Sequence, residues 1–160
     1  MSRKILVTGG NGFIGQALVN GFAAQGYAVI SADITPGTKR DGVTSIQLDI
    51  RDKQKVLDTC AGVDTVIHNA SLVHTKHNRE DEVWSVNHDG TLNIIAACKA
   101  HAVPKLVYIS SASAVYEGAD IENGDESLPY SRISQAPYAD SKIQAEKDVL
   151  AFSGQGVTHT

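Results

Sequence analysis

Residues 8–15 read Thr-Gly-Gly-Asn-Gly-Phe-Ile-Gly, and no other stretch limits the fold of this chain as tightly. Gly9, Gly12 and Gly15 stand three apart between an apolar run and a helical pattern. The run, Lys4–Thr8 (KILVT), has the look of a strand buried on both faces. Beyond the loop, Ile14, Ala17, Leu18 and Phe22 recur at helical spacing, and Gly26 stands where a helix should stop. A strand that turns this sharply into a helix needs backbone without side chains. Gly9 allows the turn, Gly12 leaves room for a pyrophosphate, and Gly15 lets helix pack on strand. With Asn11, Phe13 and Ile14 completing the loop and first helical turn, the helix start offers free N–H groups and a partial positive charge to phosphates.

The rest of the chain repeats the alternation. Tyr27–Ala32, Thr44–Leu48, Asp64–Asn69 and Lys105–Ser110 are further strand candidates. Asp52–Ala61, Glu80–His101 and Pro137 to about Phe152 are helix candidates, the last opened by a proline suited to the first helical position. Val83, Val86, Ile94, Ala97 and Cys98 supply much of the apolar face of the long middle helix. Thr35–Gly42 reads as a solvated loop, and Ala114–Ala136 as a long polar connection. Strand and helix in this order predict an α/β fold, a doubly wound parallel sheet with helices on both faces. Ser153–Gly156 reads as a turn and Val157–Thr160 as the start of a sixth strand.

Asp33 stands at the end of the second strand, 18 residues beyond Gly15. A carboxylate there accepts hydrogen bonds from both ribose hydroxyls and repels a 2′-phosphate, which favours NAD over NADP. Asp49 closes the third strand. It suits the amino group of an adenine whose ring packs on Ile50, and it equally suits the cap of the helix that starts near Asp52.

Tyr138 and Lys142 are four apart on the last helix and share a face. A free phenol, with a pKa of about 10, is a poor base at neutral pH. An ammonium beside it stabilises the phenolate, so that it can take the proton of an alcohol while hydride leaves the same carbon. Lys142 also suits the nicotinamide ribose. Ser110, Ser111 and Ser113 follow the fifth strand, at the carboxyl end of the sheet where ligands of such folds collect. Ser111 is the candidate to orient a substrate oxygen, with a neighbouring serine as the alternative, and at least two of the three read as turn-capping hydroxyls. Asn87 and Gly90 share a face of the long helix, where a polar amide either anchors neighbouring backbone or passes protons through water.

Composition narrows the partners. The 160 residues are 42% hydrophobic, enough to bury a core. Fourteen Lys and Arg against 18 Asp and Glu leave a net charge of −4, which argues against a nucleic-acid partner. No apolar stretch approaches the ~18 residues of a spanning helix, and no signal peptide is readable at Met1–Lys4. Cys60 and Cys98, without metal or CxxC spacing, read as buried thiols of a reduced, cytoplasmic compartment. His74 and His77 lack the further ligands a zinc site needs. Glu80-Asp81-Glu82 suits a helix N-terminus, and Trp84 reads as core or interface.

TGGNGFIG, Asp33, HNAS at 68–71, VNHDGT at 86–91, YISSAS at 108–113 and YADSK at 138–142 follow one another in an order that resembles the extended short-chain dehydrogenase/reductases. The text around Glu122–Glu126, Pro129-Tyr130 and Ala136–Glu146 is similar to the 3β-hydroxysteroid dehydrogenase/isomerase family, including its sterol-carboxylate dehydrogenases. The resemblance implies a Rossmann fold and Tyr138 as catalytic acid/base. It makes Lys142 the electrostatic partner and ribose ligand, and Ser111 the substrate-orienting hydroxyl. It also implies an NAD site formed by Gly9, Asn11, Gly12, Phe13, Ile14, Gly15, Asp33, Asp49, Ile50, Asn69, Ala70 and Ser71. The reaction it implies is oxidation of a secondary alcohol, such as a sterol 3β-hydroxyl, to a ketone. Family members run to about twice this length. Residues 1–160 are thus expected to be the NAD-binding domain, cut before or within its sixth strand, with the substrate-binding part outside them. A sugar-nucleotide epimerase or dehydratase, and a non-catalytic NAD-binding regulatory module, are the alternatives. The substrate is accordingly sterol-like or a nucleotide-sugar, and helices 80–101 and 137–152 are candidate homodimer faces.

Overall fold

A computed structural model describes residues 2–134 and 136–153. The sixth-strand expectation at Val157–Thr160 lies outside the described residues. Five parallel strands, β1 (Lys4–Thr8), β2 (Ala28–Asp33), β3 (Val43–Gln47), β4 (Thr65–His68) and β5 (Lys105–Tyr108), form one sheet in the order β3-β2-β1-β4-β5. Each lies within a residue or two of the range its apolar run predicts. The order reverses at β1. Chain leaving β1 turns toward β2 and β3, and chain leaving β3 crosses back to β4, which opens a crevice at the carboxyl ends of β1 and β4.

Alternate residues of the strands feed opposite faces. Leu6, Val66 and Leu106 join Ile94, Cys98, Ala145 and Val149 on one face. This side carries the helices α2 (Lys53–Thr59), α4 (Gly90–Ala100) and α5 (Pro137–Ser153). Ile5, Val7 and Ile67 pack with Val19 of α1 (Phe13–Ala24) on the other. The parallel sheet is covered on both sides at its centre, which is why Lys4–Thr8 carries no polar alternation.

Two helices differ from their sequence readings. In α1 the buried face is Gly15 and Val19 with Leu18 and Phe22 partly buried, while Ile14 and Ala17 are exposed. The glycine loop sets this phase. A Cβ on Gly15 would collide with the carbonyl oxygen of Gly9, so position 15 must face the strand, and 18, 19 and 22 follow at helical spacing. The single long helix expected over Glu80–His101 is instead α3 (Glu80–Trp84), a π-helical turn (Ser85–Asp89) and α4. The wider turn carries Asn87, which is buried; Gly90 beyond it sits so close to Ile50 that a Cβ would lie 2.6 Å from Ile50 Cδ1.

Candidate functional site

The carboxyl ends of β1, β2 and β4, with the residues after β3, enclose a cleft of about 280 Å³. Gly9, Gly12, Asp33, Asp49, Ile50, Asn69, Ala70 and Ser71 line it together, although they come from four separate connections. Parallel register brings them level: Thr8 pairs with Ala32 on one side and with His68 on the other.

The glycine loop is built as its spacing predicts. Gly9 takes φ +65°, a conformation that disfavours side chains, and a Cβ there would press on Ala70 Cα at 2.9 Å. Gly12 N-caps α1 with extended backbone and no side chain to cover the helix end. The first helical N–H groups, those of Phe13 and Ile14 among them, have no acceptor in the preceding turn. The Phe13 side chain is 96% exposed and Ile14 is exposed too, and neither residue lines the cleft.

Asp33 is held from both sides. Its Oδ2 accepts the Asn11 N–H at 3.0 Å, and its Oδ1 accepts the backbone N–H and hydroxyl of Thr35 at 2.9 and 2.8 Å. Asn11 in turn donates to the Thr35 carbonyl and so closes the loop onto the strand end. On the β4 side, the Thr8 hydroxyl accepts from the N–H groups of Asn69 and Ala70, both at 3.1 Å, and meets His68 Nδ1 at 2.8 Å. His68 Nε2 lies 3.0 Å from the Thr91 hydroxyl. Burial holds His68 down at about 3, with the Lys142 ammonium adding to the effect, so the ring is neutral at pH 7.

The two readings of Asp49 separate here. The α2 cap is Asp52, which accepts the Lys55 N–H at 3.0 Å. Asp49 instead forms a two-pronged pair with Arg51, whose Nε and Nη2 reach it at 2.9–3.0 and 2.5 Å, and this pair holds the carboxyl below its ordinary value.

The second group gathers beyond β5. Lys142 is 2% exposed, and its Nζ donates to the Ile109 carbonyl at 2.6 Å and lies 4.1 Å from the centre of the Tyr108 ring. Burial lowers the ammonium to about 8, with Glu146 opposing, so it stays charged at neutral pH. Tyr138 is half-buried in the first turn of α5. Of the serines, Ser110 donates to Glu146, while Ser111 caps the short turn Ala112–Ala114 and lies 2.7 Å from the Ser113 hydroxyl. Asn87 is wholly committed to backbone and neighbouring helix. It accepts the Leu72 N–H at 2.7 Å and donates to the Leu72 carbonyl and the Ser141 hydroxyl, both at 3.1 Å. That is the anchoring reading of Asn87, and it ties α5 to the wall of the cleft. Tyr138, Lys142 and Ser111 do not themselves line the 280 Å³ cleft.

Residues 6–159 match the family described as 3-beta hydroxysteroid dehydrogenase/isomerase. The chain belongs to that family. It is 40% identical over 149 residues to the human sterol-4-alpha-carboxylate 3-dehydrogenase, decarboxylating, covering 93% of this chain and 40% of that protein. It is 41% identical over 152 residues to the 2-alkyl-3-oxoalkanoate reductase of Stenotrophomonas maltophilia, covering 92% and 46%. The chain thus spans less than half the length of these relatives. Among solved structures, the Thermus thermophilus UDP-glucose 4-epimerase in complex with NAD superposes with a TM-score of 0.83 at 32% identity, over 98% of this chain and 53% of that one. The fold of this family member is the Rossmann type expected. Among the described residues no helix is long and apolar enough to cross a membrane.

Sequence reading missed several residues of this 3-beta hydroxysteroid dehydrogenase/isomerase family site. Ile34, Leu48, Leu72 and Val86 give the cleft its apolar walls, and Arg51 and Glu82 stand at its edge. Ile34 and Leu72 each follow a strand end, and that placement was the available signal. Nothing local marks Glu146 as the acceptor for both Ser110 and the Tyr130 phenol.

Proposed function

We propose that this chain is the NAD-binding domain of an oxidoreductase that oxidises a secondary alcohol, sterol-like in class, to a ketone. The observation that carries the cofactor reading is the cleft itself. A side-chain-free cradle at Gly9 and Gly12, a helix start with open N–H groups and a fixed carboxylate at Asp33 suit a pyrophosphate and an unphosphorylated ribose. Asn11, Phe13, Ile14 and Gly15 would form the phosphate end. Ile50, Asn69, Ala70 and Ser71 would form the walls, and Asp49 would reach an adenine amino group by sharing its carboxylate with Arg51. NAD, when bound, supplies the hydride acceptor.

The chain's own residues handle the proton. Tyr138 takes it from the substrate hydroxyl, Lys142 steadies the phenolate with a buried charge and reaches the ribose, and Ser111 orients the substrate oxygen once released from Ser113. The sterol class draws on the human sterol-4-alpha-carboxylate dehydrogenase likeness. A sugar-nucleotide epimerase is the second reading, drawing on the Thermus structure.

Titration of the folded 160-residue chain with NADH and with NADPH, followed by nucleotide fluorescence, tests the cofactor reading. NADH should bind saturably and more tightly than NADPH, and Asp33→Ala should narrow the preference at least about tenfold, the worth of a charged hydrogen bond. Saturation by neither nucleotide would sink it. Tyr138→Phe in the whole protein should abolish turnover and spare NADH binding, whereas a regulatory module would keep its function.

A further inference from the structure

Glu146 stands where three parts of the molecule meet. It lies on α5 one helical turn beyond Lys142, on the same face. The Ser110 hydroxyl, just past the end of β5, donates to its Oε2, and the Tyr130 phenol, from the long connection before α5, donates to its Oε1 at 3.0 Å. The carboxylate is therefore pinned on two sides by neutral donors. Lys142 is in the opposite condition. Its ammonium is buried with one carbonyl and one ring face as direct partners, and none of the ion pairs among the described residues includes it.

The other titratable groups around Lys142 give it no negative charge. His68 of β4 is neutral, and burial pushes the Tyr108 phenol of β5 up, with Glu146 and Tyr138 adding to the effect. Tyr138 lies one turn before Lys142 on α5 and is the very group the ammonium must serve. Lys147, over the Tyr130 ring at 5.1 Å, is a further cation beside Glu146.

We propose that Glu146 is a positioning residue of this site: its carboxylate, fixed by Ser110 and Tyr130, keeps the buried Lys142 ammonium charged from one helical turn away. The inference rests on the reading of Tyr138 and Lys142 as the acid/base pair. An ammonium stripped of water by burial releases its proton readily, and Glu146, a nearby anion with a fixed position, opposes this alongside the Ile109 carbonyl and the Tyr108 ring. Because one tether comes from the connection before α5, docking of Tyr130 and the charge on Lys142 become linked.

The test is a pH titration of the unliganded chain by ¹³C NMR, reading the Lys142 ε-carbon, with Lys142→Met for assignment. Glu146→Gln removes the charge and keeps an amide in reach of both tethers. The Lys142 midpoint should fall by about one pH unit, and the pH above which NADH binding weakens should fall with it. A midpoint equal to that of the unsubstituted chain would overturn the proposal, since a purely structural Glu146 would leave it in place. The unsubstituted chain offers a second reading that needs no substitution: the Glu146 carboxyl carbon should show an inflection at the Lys142 midpoint, and a flat response would overturn the proposal. These NMR readings need no cofactor. A chain that shows the coupling and binds no NADH upholds the Glu146–Lys142 link and overturns the cofactor reading; one that binds NADH without the coupling does the reverse.

Discussion

Gly15 and His68 show how much one position can decide. A methyl group at Gly15 would strike the Gly9 carbonyl, so Gly15→Ala should push α1 off the strand. We expect a loss of ~1–3 kcal/mol in stability and weaker NADH binding, measured by urea denaturation and fluorescence; a variant unchanged in both would contradict the packing argument. His68 is held neutral in the fold at about 3, whereas the unfolded chain protonates it near 6.5. Between those values the unfolded state binds more protons, so stability falls as pH falls, by up to ~1.4 kcal/mol per pH unit. Urea midpoints at pH 7 and pH 5 should show this, and His68→Gln should flatten the difference. Lys142, depressed to about 8 from 10.5, acts at the alkaline end, where its burial penalty is relieved as pH rises from about 8 to about 10.5. The glycines were legible from spacing alone. The partners of His68 were not, because Thr8 and Thr91 lie 60 and 23 residues away.

Among the elements, helix phase and helix capping separate local from non-local causes. The apolar periodicity of residues 14–22 announced α1, yet the buried face was set by the contact of Gly15 with the loop before it. On sequence grounds Asp49 was the carboxylate offered as a cap for α2, and three-residue geometry gave the cap to Asp52 instead. Asp52→Ala should cost ~1 kcal/mol in a urea melt and leave NADH affinity unaltered, since Asp52 does not line the cleft. Equal loss of affinity would mean that α2 and the cleft are coupled. The π-helical turn over Ser85–Asp89 escaped the periodicity because a helical repeat of apolar residues passes through it almost unbroken, from Val83 to Ile94. It carries Asn87, whose three hydrogen bonds join the Leu72 backbone to Ser141 of α5.

Over the whole molecule, strand order does what no segment can. With β1 between β2 and β4, the glycine loop, Asp33 and Asn69–Ser71 converge on one cleft, while Lys142 and Ser111 stand past the carboxyl end of β5. Cys60 and Cys98, far apart in sequence, meet as free thiols in the core of the α2–α4 face, where the Cys60 thiol beside it, with burial adding to the effect, pushes the Cys98 thiol up. The sequence by itself determined the α/β class, the strands to within a residue or two, the glycine loop and the candidate residues of both groups. Those features rest on local dihedral limits, on periodicity and on short spacings, all of which a linear text carries. Only the tertiary structure decided which polar groups are spoken for: Asp49 by Arg51, Asn87 by Leu72 and Ser141, Ser110 and Tyr130 by Glu146, and Lys142 by a carbonyl and a ring. Most of these pairs span separations of 15 to 54 residues. The energy of a hydrogen bond or of a buried charge depends on distance and burial, and neither exists until the sheet has brought the segments together.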